Sequence, residues 1–141
     1  MKRHPALAEL SREHHHELSL ARGLRRAAAA VPEQRLAAAS AYVEQFFGPT
    51  TDHFRREEEV VFPVYTRHAG QTALVERILR EHMELQGLAR ELRAQVAAGE
   101  VSAETLDALG SLLHDHVRLE ERELFEDIQR VVPSAELQAM A

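Results

Sequence analysis

Two seven-residue segments of this chain, Asp52-His53-Phe54-Arg55-Arg56-Glu57-Glu58 and Asp115-His116-Val117-Arg118-Leu119-Glu120-Glu121, each set a glutamate four residues after a histidine. On a helix that spacing stacks imidazole and carboxylate on one face, a two-pronged clamp for a metal cation. The clamps belong to a longer repeat. Arg12-Glu13-His14 and Arg80-Glu81-His82 match each other, and each is followed by Leu-Ala-Arg, at 20–22 and 88–90, and then by Leu24 or Leu92. The offset between copies is 68 residues for these segments and 63 for the clamps. The chain therefore reads as two diverged halves, each ordered histidine first and His-x-x-x-Glu second.

Helices must carry these groups. Pro5 and Pro32 stand where first-turn prolines stand, Ser102 is a candidate N-cap, and Gly70 and Gly99 mark further boundaries. The expected helices cover 5–30, 33–67, 71–98 and 102–131, with a kink or short break at Gly48-Pro49, where proline cannot donate to the preceding turn. A further amphipathic turn or two follows Pro133-Ser134. Steps of three and four along the second helix give Leu36, Ala39, Val43, Phe46, Thr50, His53, Glu57, Val60 and Val64 as the inward stripe. The fourth gives Leu106, Leu109, Leu113, His116, Glu120, Leu124 and Ile128. The third gives Leu74, Ile78, His82, Leu85, Ala89, Leu92 and Val96, and the first Leu7, Leu10, His14, Leu18, Ala21 and Leu24. Every stripe is polar only in its middle.

Short connections favour antiparallel neighbours, so the expected fold is all-α, an up-down-up-down antiparallel four-helix bundle with a short C-terminal helical extension, one domain over 1–141. Four histidines and two glutamates meet in one internal layer. A buried, unpaired carboxylate costs several kcal/mol, and no lysine or arginine lies on the stripes to offset it. A metal cation resolves the conflict. Two six-coordinate ions roughly 3.5 to 4 Å apart, bridged by Glu57 and Glu120, would use all six side chains and leave positions for a bridging oxide or hydroxide, water and a small molecule. Nitrogen-rich ligation with carboxylate bridges and no thiolate suits iron first, manganese or zinc second.

Composition narrows the rest. A net charge of −6, with arginines dispersed among glutamates, gives no basic stripe for nucleic acid. The absence of cysteine removes disulfides and thiolate metal sites. With no signal peptide and no apolar run of membrane-spanning length, the expectation is a cytoplasmic protein with neither a nucleic-acid nor a membrane partner. The sequence leaves the oligomeric state open.

These residues resemble the hemerythrin-like, or HHE cation-binding, family over nearly the whole chain. His14, His53 with Glu57, His82, and His116 with Glu120 fall where that family places its di-iron ligands, and Val61-Phe62-Pro63 and Leu124-Phe125 after the clamps are similar too. Oxygen-carrying members add a histidine one turn before the third-helix ligand; here that residue is Ile78. They also place the last carboxylate five residues after its histidine, the position of Glu121, rather than four. The resemblance is closer to symmetric sites of four histidines and two glutamates. It implies a non-heme di-iron protein that reacts with or senses oxygen, peroxide or nitric oxide. The competing expectation is an iron-binding module for storage, delivery or sensing without turnover. A ferritin-like oxidase is disfavoured, because that class uses Glu-x-x-His.

Several residues are expected to lie outside the site. His15 and His16 are read as surface residues, with His15 as a fifth nitrogen ligand the alternative. His4 and His68 are read as solvated. Glu58, Glu59, Glu121 and Glu123 are read as a charged outer face, with Glu58 or Glu121 orienting ligand histidines as the alternative. Phe46, Phe54, Phe62 and Phe125 are read as core, with Phe46 a candidate screen for the metals.

Overall fold

The computed structural model describes residues 2–70 and 72–141. Four long helices form a ring: α1 (Pro5–Ala28), α2 (32–69), α3 (Ala73–Ala98) and α4 (103–131); a short α5 (Ser134–Ala139) follows. Helix α1 packs against α2 and α4, and α3 against the same two, which closes the up-down-up-down antiparallel bundle. The α1–α4 seam is the most extensive of these contacts. The expected all-α fold and C-terminal extension are both present.

The helix ends follow from local chemistry. Pro5 opens α1, and the His4 ring accepts the Ala6 N–H at 3.0 Å. Helix α1 ends at Ala28, short of the expected 30, because Pro32 forces Val31 into extended backbone (ψ 156°). Thr72 and Ser102 cap α3 and α4 by accepting the Val75 and Thr105 N–H groups, each at 3.1 Å. The expected start of the third helix, residue 71, lies outside the described residues. Gly70 (φ 74°) and Gly99 (φ 76°) end α2 and α3 in backbone that other residues rarely adopt.

The kink or short break expected at Gly48-Pro49 takes the form of a widened π turn over Phe46–Thr50, through which helix α2 continues without a break. The Thr51 hydroxyl donates to the Phe46 carbonyl at 2.6 Å there. Two further π turns, Glu57–Val61 and Glu120–Leu124, start on the clamp glutamates and occupy the same place in each half. The first corrects the expected stripe. One extra residue per turn advances the phase, so Val61 and Tyr65 are buried, while Val60 is exposed and Val64 only partly covered.

Two apolar clusters sandwich the polar layer. One contains Leu18, Leu24, Phe46, Phe54, Leu85, Leu92, Leu106 and Leu113. The other contains Leu7, Leu10, Val61, Tyr65, Ile78, Leu124, Phe125 and Ile128, with Leu137 of α5 added. Among the described residues no helix is long and apolar enough to cross a membrane.

Candidate metal centre

The layer between the clusters holds His14 from α1, His53 and Glu57 from α2, His82 from α3 and His116 and Glu120 from α4, all buried. Glu57 and Glu120 have no exposed surface. Potential ligand atoms gather in two groups, His14, His53, Glu57 and Glu120 on one side and Glu57, His82, His116 and Glu120 on the other, each within 4.8 Å. Both carboxylates belong to both groups.

The Nε2 atoms face inward. His53 Nε2 lies 3.4 Å from Glu57 Oε2, and His82 Nε2 lies 3.3 Å from Glu57 Oε1 and 3.5 Å from Glu120 Oε1. His14 Nε2 is 3.6 Å from Glu120 Oε2 and 3.1 Å from His53 Nε2, and His116 Nε2 meets Glu120 Oε1.

The outward Nδ1 atoms each meet another carboxylate. His14 faces Glu121 (3.2 Å), His53 faces Glu13 (3.0 Å), His82 faces Glu58 (2.7 Å) and His116 faces Glu81 (2.8 Å). The pattern is two-fold symmetric: exchanging α1 with α3 and α2 with α4 maps each pair onto another. A carboxylate on Nδ1 keeps the proton there and leaves Nε2 to bind a cation. Glu58 and Glu121 thus orient histidines rather than only lining an outer face. Glu121 does both, since Arg3 and Ser11 also hold it at 2.7 and 3.1 Å.

Glu13 and Glu81 were missed by the sequence reading. The available signal was the glutamate preceding His14 and His82 in both copies of Arg-Glu-His. Glu17 was also missed: it is buried one turn beyond His14, and its Oε1 accepts the Thr50 hydroxyl at 2.5 Å.

Other expectations fare differently. His15 and His16 are exposed, as expected of surface histidines. His4 caps α1 and touches Ser134 Oγ at 3.1 Å, and His68 pairs with Glu136 of α5 at 2.6 Å, so neither is simply solvated. Phe46 packs against Tyr42 and Phe54 in the core, while Phe54 stacks on His82 (4.0 Å, 13°) and Phe125 on His14 (5.1 Å, 29°). These two rings, rather than Phe46, cover the histidines.

The buried polar atoms of the layer show which group the donor set suits. Both oxygens of Glu57 and of Glu120, with His82 Nε2 and His116 Nε2, are buried without a hydrogen-bond partner. Orphan groups of this kind are costly, and together they form a nitrogen and oxygen donor set that fits a cation. Without one, protons must serve. Burial opposes charge on the imidazoles, but the surrounding carboxylates override it, raising His14 to about 9 and His53 and His82 to about 11, with His116 also raised. Burial likewise opposes charge on Glu120, but His116 and the other ring partners hold it well below the ordinary carboxylate range.

The hemerythrin HHE cation binding domain matches residues 6–128, a span that includes all six inward side chains and their four outer carboxylates. No curated protein and no solved structure matches the chain.

Proposed function

The chain belongs to the hemerythrin HHE cation-binding domain family, and from that membership we propose that it holds two iron ions and reacts with or senses oxygen, peroxide or nitric oxide. The proposed ligands are His14, His53, Glu57, His82, His116 and Glu120. One observation carries the reading: two donor clusters share both of their carboxylates, the arrangement that bridging glutamates would make. Iron held there would supply electrons, one or two at a time, to a small oxidant.

The protein's part is positioning and exclusion. Glu13, Glu58, Glu81 and Glu121 fix the four imidazole rings with Nε2 inward. Phe54 and Phe62 pack on His82 and keep bulk water off that side, and Phe125 stacks on His14. Six carboxylates surround the layer, two inside and four outside, enough negative charge to offset two trivalent ions. That balance favours a metal able to reach the higher oxidation state, iron or manganese over zinc. Ile78, buried in the adjoining apolar cluster, supplies no further nitrogen, which favours reaction or sensing over reversible oxygen carriage.

Anaerobic loading with ferrous iron tests the reading. About two ions per chain are expected, followed by new absorption and gas or peroxide consumption when oxidant is added. Uptake without consumption would favour storage, delivery or sensing without turnover. Fewer than about one ion per chain, with normal helicity, would overturn the dinuclear site.

A further inference from the structure

The two-fold symmetry of the site breaks at one place. The repeat offsets map Glu17 onto Leu85 and Thr50 onto Leu113, so a buried acid and hydroxyl in one half face two buried leucines in the other. Glu17 is 5 % exposed, its Oε1 is taken by Thr50, and its Oε2 has no partner. A buried carboxyl oxygen left unpaired costs stability that a leucine would not. Nothing in the fold of the bundle requires it, as the other half demonstrates.

The surface beside it is also open. A cleft of about 480 Å³ between α1 and α2 is lined by Glu17, His53, Glu13, His16, Gln45 and Pro49, among others. It therefore joins solvent to a candidate ligand histidine and to the unpaired acid together. A second opening, beside His14, differs in chemistry: its acid, Glu121, is already committed to Arg3, Ser11 and His14. In the other half His82 lies under Phe54 and Phe62.

We propose that Glu17, held by Thr50, is the anchor of a small-ligand site at the inner end of this cleft, where its free oxygen donates a hydrogen bond to a small anion or partly negative oxygen ligand arriving beside His53. Burial raises the Glu17 pKa, which favours the protonated, donating form. The ligand class is one of two or three atoms with an accepting end, of the azide or hydroperoxide type.

The inference rests on a metal occupying the layer, and the experiment separates the two claims. Cobalt(II)-loaded protein is assayed for metal per chain and titrated with azide by visible absorption, for the parent chain and for Glu17→Leu, Glu17→Gln and Thr50→Val. Glu17→Leu is expected to weaken azide about tenfold without changing cobalt content. Glu17→Gln, whose amide still donates, is expected to restore most of the affinity, and Thr50→Val to give an intermediate loss while retaining the acid. Equal azide affinity in the parent and Glu17→Leu, or no azide binding by the parent, overturns the anchor. If the parent holds one cobalt rather than two, the dinuclear reading fails, while a weaker azide affinity of Glu17→Leu still supports the anchor and an unchanged affinity still overturns it.

Discussion

Metal and protons compete for the same inward nitrogens, and the competition has a countable outcome. The Nε2 atoms of His82 and His116 lie beside carboxylate oxygens of Glu57 and Glu120 without a formed hydrogen bond, and the 3.1 Å contact between His14 and His53 leaves room for one hydrogen between two Nε2 atoms. With His53 and His82 raised to about 11, at least two of these inward protons are in place at neutral pH, and the carboxylates around His116 favour its charged form as well. Full loading must therefore expel at least about two protons per chain, and the overall binding constant should rise at least about a hundredfold per pH unit near neutrality, tenfold for each proton. Calorimetric titration with zinc at pH 7.5, in two buffers of different ionisation enthalpy, counts the protons directly. Release of fewer than about one proton would refute the reasoning, since the ligands would then be neutral before metal arrives. The metal-free fold should show the opposite trend. Its histidine pKa values lie above the unfolded value of about 6.5, so that stability is fully present below pH 6.5 and is lost as pH rises through about 9 to 11. The lowered Glu13, Glu81, Glu120 and Glu121 contribute above about pH 4.5 and lose that contribution in acid. Thermal melts of metal-free protein from pH 4 to 10 should accordingly peak in the weakly acidic to neutral range.

Three further outcomes follow from particular side chains. Glu120→Gln removes a carboxylate common to both clusters and leaves buried imidazolium unmatched, so metal-free stability should drop by about 3–5 kcal/mol in denaturant titrations and metal content should fall with it; the exposed Glu59→Gln is the control. Glu81→Gln should lower metal affinity about 10- to 100-fold by releasing His116, and Glu13→Gln should do less, because the Glu81 side chain is 11 % exposed and that of Glu13 is 43 %; equal effects in a chelator competition would contradict this ranking. Gly110→Ala puts a Cβ 2.7 Å from Arg25 Cγ and 2.9 Å from the Ala21 carbonyl in the α1–α4 seam, so it should cost about 1–3 kcal/mol while leaving metal stoichiometry intact.

The inward side chains were legible because ligand spacing and helical period coincide: a histidine and a glutamate four apart both stay on the buried stripe. What lay outside that period was harder to read. The π turn after Glu57 shifts the stripe by one residue, and Val60-Val61-Phe62 offers apolar side chains at either phase, so Val60 could not be separated from Val61. Glu13 and Glu81 sit beside the stripe rather than on it, and their reach to His53 and His116 crosses to a neighbouring helix, which no single-helix pattern encodes. Glu17 was hidden by Leu18, which satisfies the same stripe. Only the comparison with Leu85 in the other copy exposes it.

The symmetry of the outer carboxylates bears on how the molecule comes together. Glu121, near the end of the chain, steadies His14, near its beginning, 107 residues away, while Glu58 of the first half steadies His82 of the second. Each half therefore steadies one of its own histidines, Glu13 holding His53 and Glu81 holding His116, but needs the other half for the second. The donor set becomes competent only after the last long helix has returned to lie along the first, a closure over most of the chain length and so among the slower steps of folding. A chain still emerging from synthesis would present isolated His-x-x-x-Glu clamps but no assembled centre. Selective capture of the cation is thus postponed until the fourth helix has closed on the first.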